Sequence, residues 1–240
     1  MKNVNMKNDK IKNILISSWR IYQDNYIIFT QIMIVFFAIF GLGIYVLDSW
    51  INFSELSDIY NSGSEDKLDI FFNDLAAKDS LNSIIFFLIS IYIFLKGWYL
   101  GVIQIAFLLN RNLPIKIEML FSCFNNFLFI YLLGEIALTL LLWILQTNLI
   151  IIPMMVSLLS AFYPFIIINQ EINNPITGLK TSFIMTISNL NITAPLYYIL
   201  LIANIILGGF TMFLGLIILI PLSILCYTKC YLLLKEGYIE

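Results

Sequence analysis

Apolar residues fall in long unbroken runs rather than short alternating stretches, a pattern that predicts helices long enough to cross a membrane. The runs cover 26–47, 83–109, 128–147, 149–168 and a final block from Ile192 to about Leu234. That last block is too long for one helix, and the pair Gly208 and Gly209 divides it into 193–208 and 210–234. The 83–109 run is the centre of the pattern. At ~1.5 Å of rise per residue it makes about 40 Å of helix, more than the ~30 Å hydrocarbon core requires. Its one charge, Lys96, falls in the middle.

Between the runs the period changes. Within 10–22, Ile11, Ile14, Leu15, Ser18 and Tyr22 share one helical face, and 115–126 and 175–188 are again amphipathic. Each of these precedes a pair of spans. The fold class predicted is therefore all-α: a single polytopic membrane domain over 1–240, with six transmembrane helices as three hairpins, each preceded by an amphipathic interfacial helix. A weak repeat supports the threefold plan, because Ser18-Trp19 followed by Asn25 matches Ser182-Phe183 followed by Asn189, and the segment ending at Asn125 and Asn126 has a similar apolar face. The stretch 48–82 reads as an acidic outer loop, with a turn-rich NSGSEDK followed by a short amphipathic helix. Asp66, Asp69 and Asp74 lack the ligand spacing of a calcium loop. Pro153 is tolerated in a first turn, whereas Pro164 predicts a kink at the inner end of 149–168. Gly97 and Gly101 form a G-x-x-x-G step that admits close approach of another helix.

Composition narrows the class. With 60% hydrophobic and 12% charged residues, and a mean hydropathy of +0.91, the chain is too apolar for a soluble domain. Charge is distributed by side. Lys2, Lys7, Lys10, Lys12, Arg20, Arg111, Lys116, Lys180, Lys229 and Lys235 fall in segments assigned to the cytoplasm, against Lys67 and Lys78 outside. That asymmetry puts both termini of a multi-pass membrane protein in the cytoplasm. The first run is longer than a signal-peptide core and no small-residue cleavage site follows, so it reads as an uncleaved helix. No nucleic-acid-binding footprint is present. The chain has no histidine, and Cys123, Cys226 and Cys230 form no zinc or redox spacing. No cofactor or metal is implied, and the expectation is a protein that is not an enzyme.

The candidate site is a pair of charges. Counted from Ser83 and Thr147, Lys96 and Glu135 lie at similar depth, so they are placed to meet near the bilayer centre. Such a pair either fixes helix register or forms a relay or substrate site. The structural role is favoured because no third titratable residue extends a path from it. Asn169, Glu171, Asn173 and Asn174 form a polar cluster that turn capping explains.

The stretches KGWYLGVIQIAFLLNRNLPIK, IIIP and YPFIIINQEINNPITGLKTSF, together with the single outer loop after the first span, resemble the YciC-like family of uncharacterised bacterial inner-membrane proteins. A looser similarity reaches the membrane domain found beside some glycerophosphodiester phosphodiesterases. The resemblance covers about Ile14 to Leu234 and implies no catalytic residues. This chain departs from the family at Pro153-Met154, where relatives tend to have Pro-Gly, and at Lys96, where a small residue is expected. The function expected is non-enzymatic support of envelope or lipid homeostasis through contacts with membrane lipids or a membrane-protein partner. The alternative is a small-solute or ion transporter or channel that uses the Lys96/Glu135 pair.

Overall fold

A computed structural model describes residues 2–77, 80–144, 151–169, 174–211 and 215–235. Thr147, Leu149, Lys78, Glu171, Asn173 and residues 212–214 lie outside the described residues, whereas Gly208 and Gly209, expected to divide the final block, lie within one helix that runs on to Phe210. Among those described, all regular structure is helical: α1 (Lys2–Asp24), α2 (Tyr26–Ile51), α3 (Phe53–Ser62), α4 (Glu65–Ala77), α5 (Ser80–Asn110), a 3-10 turn (Ile117–Phe121), α6 (Asn126–Ile144), α7 (Ile151–Leu159), α8 (Tyr163–Ile168), α9 (Pro175–Ser188), α10 (Leu190–Phe210) and α11 (Leu216–Lys235).

Among the described residues, four helices, within α2, α5, α10 and α11, are long and apolar enough to cross a membrane, and shorter apolar segments cover Phe127–Trp143 and Ile152–Ile168. Their outward surfaces are apolar as well. Ile34, Leu42, Phe86, Trp143 and Phe210 are all well exposed. Water would penalise so much apolar surface, whereas lipid does not, so this is the build of an integral membrane protein.

The chain divides by packing into two units, Met1–Ile32 with Lys96–Glu240, and Met33–Leu95. In the larger unit α1 packs on α10 and α11, while α9 packs on α6, α7, α8 and α10. Ile11, Ile14, Ser18 and Tyr22 are buried. The face of α1 expected to lie on lipid is thus directed at protein, because α11 and α10 offer it a dry apolar surface. Two corners in this unit are built alike. The Asn25 carbonyl accepts from the Ile28 and Phe29 N–H groups, as the Asn189 carbonyl does from Ile192 and Thr193. Each asparagine side chain also donates back to the carbonyl four residues earlier, Ile21 at 2.9 Å and Met185 at 3.0 Å. Asn125 keeps the backbone pattern, but its Oδ1 accepts from the Phe127 N–H instead, as a helix cap does.

Three expectations are corrected here. The amphipathic helix over 115–126 is a five-residue 3-10 turn, Ile117–Phe121, followed by turns. Leu120 and Cys123 are buried, and the Leu120 backbone sits where a Cβ on Gly101 would fall, so the segment is seated on α5 rather than laid on lipid. The acidic stretch holds the expected short helix, as α4, and before it a second helix, α3, where no helix was expected. Asn52 caps α3, accepting from the Glu55 N–H, and Gly63 ends it at φ 64, a left-handed conformation suited to glycine. Nor does Pro164 merely kink the fourth run.

The run breaks at Ser160–Phe162 into α7 and α8, with Pro164 in the first turn of α8. Proline supplies no N–H to the Ser160 carbonyl four residues back, and its ring crowds that oxygen. The Tyr163 N–H takes the carbonyl instead, at 2.9 Å. The backbone groups freed at the break are satisfied from α9. Ser182 Oγ accepts from the Phe162 N–H at 3.2 Å and donates to the Leu159 carbonyl at 2.8 Å. Thr186 Oγ1 donates to the same carbonyl at 3.4 Å. The α9 face carrying Gly178, Ser182 and Thr186 is therefore buried, while Ile176, Ile184 and Ile187 are exposed.

Removing the hydroxyl in Ser182→Ala strands a buried N–H and weakens a buried carbonyl's pairing, so a loss of about 2 kcal/mol is expected. Thermal unfolding in detergent checks this, with the exposed Ser188→Ala as a control that stays near wild type.

Candidate functional site

α5 carries Lys96 and α6 carries Glu135, and the structure brings the two together. Lys96 Nζ donates to Glu135 Oε2 at 2.7 Å, and each side chain keeps 26% of its surface exposed. The ammonium also lies 5.5 Å from the centre of the Tyr131 ring, within cation–π range. Tyr131 in turn stacks on Tyr163 with ring centres 5.5 Å apart. The Tyr163 hydroxyl donates to the Ile130 carbonyl at 2.7 Å, which fixes its ring against α6. Glycine makes this possible, because a Cβ on Gly134 would collide with the Tyr163 hydroxyl. The pair thus rests on an aromatic shelf supplied by α6 and α8.

Chemically, the two charges cancel. Each removes the other's need for water, and a pair at 2.7 Å ties α5 to α6 in one register. Among the described residues, no three carboxylate or thiol groups are grouped as a metal ion would require.

Gly97 and Gly101, one and five residues beyond Lys96, do admit a close approach. Their neighbour is the 3-10 segment and the turn after it rather than another spanning helix. A Cβ on Gly101 would run into the Leu120 carbonyl, and one on Gly97 into the Phe124 ring. The same contact is polar one turn further along α5. Gln104 Oε1 accepts from Ser122 Oγ at 2.6 Å and from Cys123 Sγ at 3.0 Å.

A second polar bridge lies where α5 ends. Arg111 Nη2 donates to Asn169 Oδ1 at 3.3 Å, and Asn169 Nδ2 donates to the Tyr231 hydroxyl at 3.3 Å. Phe107 meets Tyr231 edge to face, 5.6 Å between ring centres. Asn174 caps α9, accepting from the N–H groups of Ile176 and Thr177. Sequence reasoning placed Lys96 opposite Glu135 by depth but missed Tyr131, Tyr163 and the Arg111–Asn169–Tyr231 bridge. Tyrosine and asparagine in apolar runs were the available signal, since each needs a buried partner.

The described residues define an all-α membrane protein in which an internal ion pair joins α5 to α6. No protein-family model, curated protein or solved structure matches the chain.

Burial pushes the Cys123 thiol up to about 11, against a smaller opposing effect of the Ser122 hydrogen bond. The thiol is therefore protonated at neutral pH, and its thiolate forms only as pH approaches that value. Cys226 and Cys230 are buried too. Maleimide is expected to label the folded protein at pH 7 at least about tenfold more slowly than the unfolded chain, read by mass spectrometry.

Proposed function

We propose that this chain is a non-enzymatic protein of the bacterial inner membrane that supports envelope or lipid homeostasis through contacts with lipids or a membrane-protein partner. In this reading six segments cross the bilayer as three hairpins, with α7 and α8 together forming the broken fourth span and both termini in the cytoplasm. The resemblance of its sequence motifs to YciC-like inner-membrane proteins is in keeping with this reading, as is the concentration of basic residues outside the acidic stretch.

The observation that carries the reading is the closure of the Lys96–Glu135 pair at 2.7 Å on a tyrosine shelf. The deepest charges serve each other, and what remains outward is apolar surface for lipid or another membrane helix. The partial exposure of the pair, 26% on each side, is the one feature that favours a transporter or channel.

A double-mutant cycle separates the two. Lys96→Met and Glu135→Gln should each lower stability in detergent by up to about 3 kcal/mol, the lower end for breaking a buried pair because both partners keep some exposure. The double variant should recover most of that loss. Three variants all near wild type would mean hydrated charges and favour the transporter alternative, which flux into proteoliposomes would then test.

Sidedness has its own check. In a chain lacking the native cysteines, a membrane-impermeant maleimide should react with Asp66→Cys in spheroplasts and with Lys180→Cys only after permeabilisation. Reaction of both from one side would overturn the topology.

A further inference from the structure

A cavity lined wholly by residues of the smaller unit has no part in the ion-pair site. It measures about 610 Å³ and lies where the end of α2 meets α3 and α4. That volume is within the ~300–1,000 Å³ of small-molecule sites. The lining is mixed in a specific way: Trp50 and Phe71 supply aromatic surface, Asn52 and Glu55 a polar corner, and Lys67 and Asp74 two more charges.

Several of these groups are held in place. Trp50 meets Phe87 edge to face with ring centres 5.3 Å apart. Asn52 adopts φ 53, unusual for a residue other than glycine, and from there it serves Glu55 twice. Its Oδ1 accepts from the Glu55 N–H at 3.4 Å, and its Nδ2 donates to Glu55 Oε2 at 3.2 Å. Asp48 Oδ1 accepts from the Phe53 N–H at 2.9 Å, closing the same corner. The carboxylate is thus oriented by its own helix cap.

Two carboxylates against one ammonium leave the lining with a net negative charge. The surroundings reinforce it, since α3 and α4 contain acids at several positions and Lys67 as their one base. Aromatic faces and negative charge together select a particular chemistry. We propose that this cavity binds a small organic cation, an ammonium group on an apolar or aromatic body, with Glu55 and Asp74 compensating the charge and Trp50 and Phe71 packing the body. The site goes beyond the function proposed above and stands or falls separately from it.

The test is calorimetric titration of the full-length protein in a non-ionic maltoside detergent, whose headgroup carries no ammonium, with benzyltrimethylammonium, and with benzenesulfonate as its anionic counterpart. Saturable binding of the cation with Kd below about 1 mM, and at least tenfold weaker binding of the anion, is expected. Glu55→Gln, which keeps an acceptor for Asn52, and Asp74→Asn should each weaken the cation about tenfold, whereas Lys67→Met should leave it unchanged or tighter. Unchanged circular dichroism would show that the variants are folded, and if one of the acidic variants unfolds the other carries the comparison. Repeating the titration in nanodiscs identifies the source of the ammonium. Affinity that is independent of phosphatidylethanolamine content assigns the site to a free amine, and competition by that lipid assigns it to a headgroup, both within the proposed chemistry. Equal binding of cation and anion, no saturable binding, or indifference to both acidic substitutions would overturn the proposal.

Discussion

A helix in an apolar environment cannot break unless something replaces the hydrogen bonds it gives up. The break at Ser160–Phe162 is the constraint from which much of the larger unit follows. Ser182 and Thr186 satisfy the freed groups, so α9 has to lie against α7 and α8 with its small hydroxyl-bearing face inward. Pro164 lies in the first turn of α8, and Tyr163, which opens that helix, is turned against α6. Its hydroxyl reaches the Ile130 carbonyl over Gly134, its ring supports Tyr131, and Tyr131 faces the Lys96 ammonium. The ion pair is therefore the far end of a chain of contacts that begins with a proline.

The smaller unit is stabilised differently. Its α3 and α4 are short helices with few buried side chains, and α3 buries none. They depend on near neighbours in sequence: the Asn52 cap, the Asp48 bond to the Phe53 N–H, and the glycine turn at Gly63. Local hydrogen bonds of this kind are worth about 1 kcal/mol each. Long-range packing orders one unit and end-capping the other.

Runs of one polarity are easy to read, because twenty apolar residues have few alternatives to a helix. α2, α5 and α10 accordingly contain the expected runs. Depth was legible too, since rise per residue converts Lys96 and Glu135 into heights that agree. What the pattern concealed was direction. The stripe on α1 is apolar whether lipid or α11 covers it, so periodicity could not distinguish an interfacial helix from a packed one. In 115–126, helical spacing was satisfied by residues that instead fold down onto Gly97 and Gly101, a tertiary contact overriding a local preference. In the acidic stretch the turn-rich NSGSEDK does hold a turn, at Gly63, and the amphipathic helix follows as α4, but α3 before it rests on the Asn52 cap, which apolar periodicity does not announce.

Chain order gives the stitched break a further significance. Ser182 lies twenty residues after the N–H it accepts from. While the chain emerges from the ribosome, α7 and α8 exist before their partner does, and the Leu159 carbonyl and Phe162 N–H must stay with water or with the translocation machinery until α9 has been made. Segments α7, α8 and α9 are consequently one unit of biogenesis, and a truncation between 168 and 182 would deliver the broken helix to the bilayer with its seam open.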